Sequence, residues 1–195
     1  MNLPTDPASR VITVAGIDPG IRGGLAAVRV AAADGCVGTL LSAIDIPTVG
    51  DGARERVDVA AVRDWLNTFK PAFVLVERAQ AMPRQGASSG FKYGRATGSI
   101  EAAVVLSAIP LEIVEPAAWK RYWHLPGKDK ERARQKALEV FPAAHDLLAR
   151  KKDHGRGEAG LLALYGIRTS RLMPAPIGAA APLQACDQQL TVQGE

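Results

Sequence analysis

The chain has 195 residues, of which 47% are apolar, and it carries a formal net charge of +4. This size predicts one globular domain with a sizeable core, and the basic excess is compatible with a nucleic-acid partner. Neither a secretory signal nor a membrane span fits the chain, and two distant cysteines, Cys36 and Cys186, indicate a reduced, intracellular protein.

The first predicted elements are two antiparallel strands around a Gly-rich turn. Residues 1–10 are polar and predict a flexible arm. Apolar runs on either side of the turn DPGIRGG predict strands over Val11–Asp18 and Gly24–Ala31. Ile12 shares a face with Asp18, because strand side chains alternate. Asp18 is therefore either a structural cap of the turn or a metal ligand, and position alone favours the cap.

The next segment predicts a third strand, a helix and a buried fourth strand. The third strand covers Thr39–Ile46, and a polar loop follows over Val49–Arg56. Asp58 reads as the N-cap of a helix whose apolar residues recur at helical spacing. The continuous apolar run Phe73–Val76 predicts a strand that is covered on both faces and ends at Glu77.

If the first and fourth strands lie side by side and parallel, their final acids meet. Asp18 and Glu77 then emerge at one edge of the sheet, where open α/β sheets place their functional sites. The order of the predicted elements allows this pairing.

A segment rich in glycine, serine and glutamine separates the fourth strand from the next helix. We interpret Arg78–Gly98 as a long functional loop that carries Phe91 and Tyr93. A helix over about Ser99–Ala108 and a fifth strand over Leu111–Val114 follow. An aromatic ring in the loop could stack on an unpaired base, and the alternative is a ring packed on the core.

Basic residues concentrate in the second half of the chain. The segment GKDKERARQKALEVF predicts an amphipathic helix with Lys128 and Arg132 opposite its apolar face. Lys130 flanks that face, and Lys151 and Lys152 form a second basic run. The alternative interpretation is an ordinary solvated helix face with ion pairs.

The last predicted helix, over about Gly155–Arg168, carries an acid on its inward face. Glu158 shares a face with Leu161, Leu162 and Tyr165, where an unpaired carboxylate is costly. Just before the helix, Asp153 is either an N-cap or a ligand, and His154 is better explained as a histidine at the surface or the core edge.

Four acids thus have a common direction: Asp18, Glu77, Asp153 and Glu158. Clusters of carboxylates suit Mg²⁺ or Mn²⁺, which neutralise their mutual repulsion. Two such ions can activate a water and stabilise a leaving oxygen, and the flanking basic segments suit a nucleic-acid backbone.

The motifs of the chain resemble a known family. In this order, GIDPG, LVERAQ, EPAAWK, GKDKERAR and KKDHGRGEAGLLALYG resemble the RuvC-type Holliday junction resolvases, most closely the branch of phages, some bacteria and the plant chloroplast. The likeness covers about Val11 to Arg168. The GIDPG turn alone also occurs in actin-like proteins, whereas the DHGRGEA ending combined with the acid of the fourth strand is more specific.

The resemblance implies an α/β, RNase H-like fold with a five-stranded mixed sheet, three antiparallel strands and then parallel strands, flanked by helices. It implies a nuclease domain over residues 11–172, a loosely packed or disordered tail over 173–195, and a homodimer in which the helix over about Ser99–Ala108 is a candidate dimer element. The activity implied is that of a crossover junction endodeoxyribonuclease in DNA recombination and repair, which makes paired symmetric nicks with Mg²⁺ or Mn²⁺, two ions per active site. A cytoplasmic location, in a bacterium or from a phage within one, and no membrane partner are expected.

The family's site residues carry over by motif. Asp18, Glu77, Asp153 and Glu158 are implied metal ligands and catalytic residues. Bacterial RuvC proteins space the last pair by three residues, whereas Asp153 and Glu158 are five apart, which leaves His154 as a less favoured ligand. Lys120 and Lys130 match lysines that contact DNA near the cut. The full expected DNA-binding set is Lys120, Lys128, Lys130, Arg132, Lys151, Lys152, Phe91 and Tyr93.

Three other functions remain compatible with the sequence. One is another RNase H-like nuclease that acts on branched DNA with relaxed selectivity or on RNA–DNA hybrids. A second is an actin-like domain whose Gly-rich turn holds phosphate, although the chain is short for a two-lobed ATPase. A third is a junction-binding protein without activity, which the retained acids argue against.

Overall fold

A computed structural model describes residues 11–31, 38–80, 86–125 and 129–172. The predicted arm over 1–10, the predicted tail over 173–195 and both cysteines lie outside these residues. The two outer domain boundaries therefore stay predictions.

A five-stranded mixed sheet forms the centre of the fold. Its strands are β1 (Val11–Asp18), β2 (Gly24–Ala31), β3 (Thr39–Asp45), β6 (Val74–Glu77) and β7 (Leu111–Val114). The order across the sheet is β3-β2-β1-β6-β7. The first three strands pair antiparallel, β6 pairs parallel with β1, and β7 pairs parallel with β6. The predicted mixed sheet, with its first and fourth main strands adjacent and parallel, is confirmed.

The predicted polar loop over Val49–Arg56 is wrong in part, because the chain forms a small hairpin there. Strands β4 (Thr48–Val49) and β5 (Arg56–Val57) pair antiparallel around a 3-10 helix, Gly52–Arg54. Gly50 has φ +82°, a conformation that glycine adopts without strain. The side chain of Val57 is buried, and this contact with the core anchors the hairpin.

Helices cover both faces of the sheet. The helices α1 (Val59–Phe69) and α2 (Ala87–Leu106) lie on one face. The other face packs against α3 (Pro116–Tyr122), α4 (Lys130–Val140) and α5 (His154–Thr169). Among the described helices, none is long and apolar enough to cross a membrane.

Helix α1 is capped at both ends by local hydrogen bonds. The Asp58 side chain accepts a hydrogen bond from the backbone N–H of Ala61 at 3.1 Å, so its predicted role as N-cap is confirmed. At the other end, Lys70 adopts a left-handed conformation with φ 45°, and its N–H donates to the Leu66 carbonyl at 2.8 Å. Trp65 and Leu66 bury the inner face.

Helix α2 corrects the prediction of a loop over Arg78–Gly98 and of a helix that starts at Ser99. The helix already begins at Ala87 and runs for 20 residues. Its inner face contains Ala96, Ile100 and Val104, all buried at helical spacing. This burial outweighs the low helix propensity of the glycines, of which Gly94 and Gly98 lie on the solvent side.

Helix α5 approaches the sheet closely because glycines line the contact. A Cβ atom added to Gly155 would lie 2.7 Å from the carbonyl carbon of Gly23, and one added to Gly24 would lie 2.7 Å from the Arg156 nitrogen. A side chain on Gly16 would overlap the backbone of Ala159. The beginning of α5 therefore rests directly on the β1–β2 turn.

Candidate active site

A cavity of about 980 Å³ opens at the ends of β1 and β6. The β1–β2 turn, the start of α2 and the α3–α4 segment form its walls. Its charged and polar lining residues include Asp18, Arg22, Glu77, Arg78, Gln80, Ser89, Tyr93, Lys120, Arg121, His124, Asp129, Lys130 and Glu158. This is the sheet edge at which the sequence predicts a site.

Three of the four predicted acids line this cavity, and the strand alternation explains two of them. Val14 in β1 contacts the core on the α5 side, so Asp18, four residues later, points to that side as well. Phe73 and Leu75 do the same ahead of Glu77. Glu158 comes from the second turn of α5, where only 8% of the residue is exposed.

The pKa values of two cavity acids, Asp18 and Glu77, are raised because these side chains are buried close to other carboxylates. Burial, together with the nearby carboxylates of Glu158 and Glu77, raises the pKa of Asp18 to about 7. Burial also raises the pKa of Glu77, against the opposing effect of Lys120. Burial and then the three acids raise the pKa of Tyr93 to about 12, so its hydroxyl keeps its proton at neutral pH. Burial and mutual repulsion thus oppose the ionisation of Asp18 and Glu77 at the centre of the cavity.

Lys120 bridges two of the acids. Its Nζ lies 3.8 Å from Glu77 Oε2 and 3.7 Å from Glu158 Oε2. The neighbouring Trp119 donates its indole N–H to Glu77 Oε2 at 2.7 Å. Lys130 also lines the cavity, and its charge acts against the raised pKa of Asp18. The two lysines that the resemblance singles out therefore both lie beside the acids.

The fourth acid, Asp153, is placed differently from the prediction that it points with the other three. It is 1% exposed but does not line the cavity. Arg150 donates to its carboxylate from the backbone N–H at 2.8 Å and from the guanidinium at 2.6 and 2.9 Å. Burial alone would raise the pKa of Asp153, but the Arg150 hydrogen bonds and the charge of Arg156 hold it below its usual range.

The structure also shows whether Asp153 caps helix α5, which was one of its two predicted roles. Its side chain makes no capping hydrogen bond to α5. Instead it belongs to an ion-pair cluster in which Arg156 Nε contacts Asp45 Oδ1 at 2.7 Å, so the start of α5 is tied to the end of β3. His154 lies beside Asp153 as the first residue of α5, and its Nδ1 is buried without a hydrogen-bond partner among the described residues.

The two aromatic residues that were expected on a loop lie on α2 and face opposite ways. Tyr93 lines the cavity, whereas Phe91 is 70% exposed and lies 5.9 Å from the Arg95 guanidinium, measured to the ring centroid. A spacing of two residues turns a helix by about 200°. Of the two rings, Phe91 is therefore the one that remains open to solvent, and Tyr93 faces the cavity.

The remaining basic residues of the prediction separate into two groups. Lys128 lies outside the described residues. Arg132, on α4, and Lys151 and Lys152, in the 3-10 helix Lys151–Asp153, are exposed but do not line the cavity. The cavity instead has cationic residues that the sequence interpretation did not assign to the site: Arg22, Arg78 and Arg121. Arg22 lies in the Gly-rich turn DPGIRGG, and this position in the sequence could have indicated that Arg22 belongs to the site.

The donor chemistry fits a hard divalent cation. Asp18, Glu77 and Glu158 provide only oxygen ligands, as Mg²⁺ and Mn²⁺ prefer. In the described part of the chain, however, no three His, Cys, Asp or Glu side chains are already arranged around one metal position. Lys120 stands between Glu77 and Glu158 and supplies the positive charge there.

Comparisons with solved structures agree with this fold. No family model matches the chain, and no curated protein matches it significantly. The chain is 26% identical to Thermus thermophilus RuvC in complex with a Holliday junction substrate, with a TM-score of 0.58 over 78% of this chain and 91% of that chain. A second T. thermophilus RuvC structure matches at 23% identity and a TM-score of 0.55, over 80% of this chain and 95% of that one.

A eukaryotic structure is similar as well. The yeast mitochondrial Holliday junction resolvase Ydc2 has 16% identity and a TM-score of 0.51, over 83% of this chain and 78% of that one. The predicted fold class is thereby confirmed, and the structural neighbours are RuvC-type and mitochondrial junction resolvases. The resemblance to the phage and chloroplast branch is not addressed by these matches.

Proposed function

We propose that this protein is a Holliday junction resolvase, a metal-dependent endonuclease that makes paired, symmetric nicks in four-way DNA junctions. One observation carries the proposal: Asp18, Glu77 and Glu158 converge on one cavity in a fold similar to most of a RuvC that was solved with a junction substrate. Its role would lie in DNA recombination and repair.

The three cavity acids would hold Mg²⁺ or Mn²⁺. When bound, two such ions supply an activated water and stabilise the oxygen that leaves the cut phosphate. The contribution of the chain is to fix the carboxylates on β1, β6 and α5, three elements held together by the core. Lys120, now paired with two of these acids, would be released to contact a phosphate oxygen.

A fourth ligand would come from the beginning of α5. The resemblance favours Asp153, which Arg150 would then have to release. His154 needs no ion pair to be broken, and burial, followed by the charge of Lys130, lowers its pKa and so favours the neutral, ligating form. Both residues remain candidates in this proposal.

DNA would be held by the cationic side chains around the cavity. Lys120, Arg121 and Lys130 lie on the α3–α4 side, and Arg22 and Arg78 lie on the side of the strand ends. Phosphate contacts of this kind position the backbone without reading its sequence. Exposed Phe91 is a candidate for stacking on an unpaired base near the junction centre.

The exposed face of α2 would form a homodimer interface. Gly94, Gly98, Ala102 and Val105 follow one line along this helix, and all are exposed. Small residues in such a line allow two helices to approach closely, and the apolar side chain of Val105 at its end would be covered. A two-fold dimer would match the two-fold symmetry of a junction and place two active sites for paired cuts.

The proposal is tested with end-labelled immobile and mobile four-way junctions, in Mg²⁺, Mn²⁺ or chelator. We expect ligatable nicks at symmetric positions only when metal is present. Asp18→Asn and Glu77→Gln should reduce cleavage at least 10³-fold, as a rough estimate for a lost metal ligand, while junction affinity is retained. Asp64→Asn and Glu139→Gln, which change exposed acids away from the cavity, are matched controls and should cleave normally.

Other outcomes would assign a different function. Equal cleavage of duplex DNA or of an RNA–DNA hybrid would indicate an RNase H-like nuclease with relaxed selectivity. If both site variants lost junction binding as much as cleavage, the acids would not be metal ligands. Thermal stabilisation by nucleotides without DNA would support the actin-like alternative.

A further inference from the structure

Trp119 connects the two charged groups at the centre of the cavity. It lies in α3, and none of its surface is exposed. Its indole N–H donates to Glu77 Oε2 at 2.7 Å, and the centre of its ring lies 5.0 Å from Lys120 Nζ. One rigid side chain thus contacts both a proposed metal ligand and the cation that balances it.

The hydrogen bond restricts how Glu77 presents its oxygens. Among the described residues, the side-chain partners of Glu77 are Trp119 and Lys120, and both contact Oε2. Oε1 is therefore left for a further ligand. A hydrogen bond from a fixed N–H to an ionised carboxylate is short and directional, so it selects one rotamer of Glu77. It also lowers the pKa of Glu77, against the effect of burial.

The ring of Trp119 restricts the position of the Lys120 ammonium group. An ammonium group near an indole face is attracted by the negative face of the ring. Since Lys120 Nζ is also close to Glu77 and Glu158, the indole holds the cation on one side of the acid pair. Carboxylate and ammonium are thereby arranged before any ligand arrives.

We propose that Trp119 is a positioning residue of the metal site: its N–H fixes the Glu77 carboxylate in the orientation that binds the ion, and its ring fixes Lys120. This inference rests on the proposed function, because it takes Glu77 to be a metal ligand. Partners that orient metal ligands typically change metal affinity or activity about 10- to 100-fold when they are removed.

The test is the Mn²⁺ affinity of Trp119→Phe, measured by calorimetry and by the electron paramagnetic resonance of free Mn²⁺. Phenylalanine keeps a ring at the position but has no N–H to donate. We expect roughly a 10-fold weaker affinity or more. In a Glu77→Gln background the same substitution should have little further effect, because the two residues act as one unit.

Trp123→Phe is the matched control. Trp123 is also buried, and its indole N–H donates to the Leu161 carbonyl at 3.0 Å, away from the acids. Both variants lose one ring edge and one indole hydrogen bond. Trp123→Phe should therefore destabilise the fold similarly and leave Mn²⁺ affinity unchanged.

A second variant covers the case in which Trp119→Phe does not fold. Replacement of Trp119 by 3-benzothienylalanine exchanges the N–H for sulfur and retains the shape of the side chain, and it should weaken Mn²⁺ binding to a similar extent. Wild-type affinity in either Trp119 variant, or an equal loss in Trp123→Phe, would overturn the inference. A wild-type protein that binds Mn²⁺ but does not cut junctions would overturn the proposed function alone, since the comparison of affinities still decides the role of Trp119.

Discussion

At the scale of single residues, Asp18 illustrates what the acid cluster costs the fold. Its pKa rises to about 7 through burial and through the nearby Glu158 and Glu77, whereas its ordinary value is 3.8. The folded chain thus binds this proton more tightly than the unfolded chain. The contribution of Asp18 to stability therefore falls as the pH rises from about 4 to about 7, and it stays low above that range.

Substitution of this acid should stabilise the metal-free protein. We expect Asp18→Asn to raise the free energy of unfolding at pH 8 by roughly 1–3 kcal/mol, since it removes a charge that is both buried and repelled. Near pH 4 the variant and the wild type should be similar, because Asp18 is then protonated in the folded state. Urea unfolding in chelator at both pH values measures the difference, with Asp64→Asn as the control. A gain of the same size at both pH values would contradict this explanation.

Local sequence patterns were sufficient to predict that three of the acids meet in the cavity. The orientation of the fourth acid and the contacts between the site residues depend on residues far apart in the chain. Alternation along β1 and β6 and the inward face of α5 were enough to place Asp18, Glu77 and Glu158. The orientation of Asp153 depends on an ion-pair cluster that includes Asp45, more than 100 residues away in the chain. The contact of Trp119 with Glu77 joins residues 42 positions apart, which no local pattern reveals.

At the scale of elements, α2 shows how composition can mislead. Glycine and serine between Arg78 and Gly98 are typical of loops, yet the chain is helical from Ala87. The helical spacing of its buried residues is present in the sequence, but the outer face of the helix is open: a Cβ atom added to Gly94 or Gly98 would have no neighbour within 4 Å. Tertiary burial of Ile100 and Val104 decides the structure here.

The end of α1 offers a test of local backbone strain. Lys70 has φ 45° and ψ 55°, which costs about 1 kcal/mol for a residue with a Cβ atom. We expect Lys70→Gly to raise the free energy of unfolding by about 0.5–1 kcal/mol, after allowing for the greater entropy of glycine in the unfolded chain. Chemical denaturation measures the change.

Lys70→Ala is the control for this prediction, because alanine removes the charge and retains the Cβ atom. It should give no comparable gain. If the alanine variant were as stable as the glycine variant, side-chain chemistry rather than backbone conformation would explain the effect. Cleavage should be normal in both, since Lys70 does not line the cavity.

At the scale of the whole molecule, the sheet order follows from its connections. Only a few residues separate β1 from β2 and β2 from β3, so these strands pair antiparallel, whereas β6 and β7 each follow a helix and pair parallel. This much was predictable from the order of elements. The small hairpin of β4 and β5 was not, because each of its strands has only two residues.

The proposed dimer makes a prediction about the assembled protein. Ala102 lies on the exposed line of small and apolar residues along α2. Ala102→Arg should abolish the dimer without unfolding the subunit, because a long charged side chain can reach solvent in the monomer but not between two close helices. Sedimentation velocity measures the change, and the nicks in a four-way junction should no longer be paired.

Ala143→Arg is the control for this change. Ala143 is also exposed, but it lies in the 3-10 helix Pro142–Leu147 on the opposite face of the sheet. It should keep the oligomeric state of the wild type. A wild-type protein that sediments as a monomer, or an Ala102→Arg variant that remains dimeric, would exclude this face as the interface.

The backbone contact between α5 and the β1–β2 turn has an evolutionary consequence. Elsewhere in the core, one apolar side chain can replace another while its neighbours adjust, so sequences can diverge there without loss of the fold. At Gly23 and Gly155 two main chains touch, and no side chain is present that could be exchanged. Descendants of this protein are therefore expected to change freely around these positions while the two glycines persist, since they hold Glu158 within reach of Asp18.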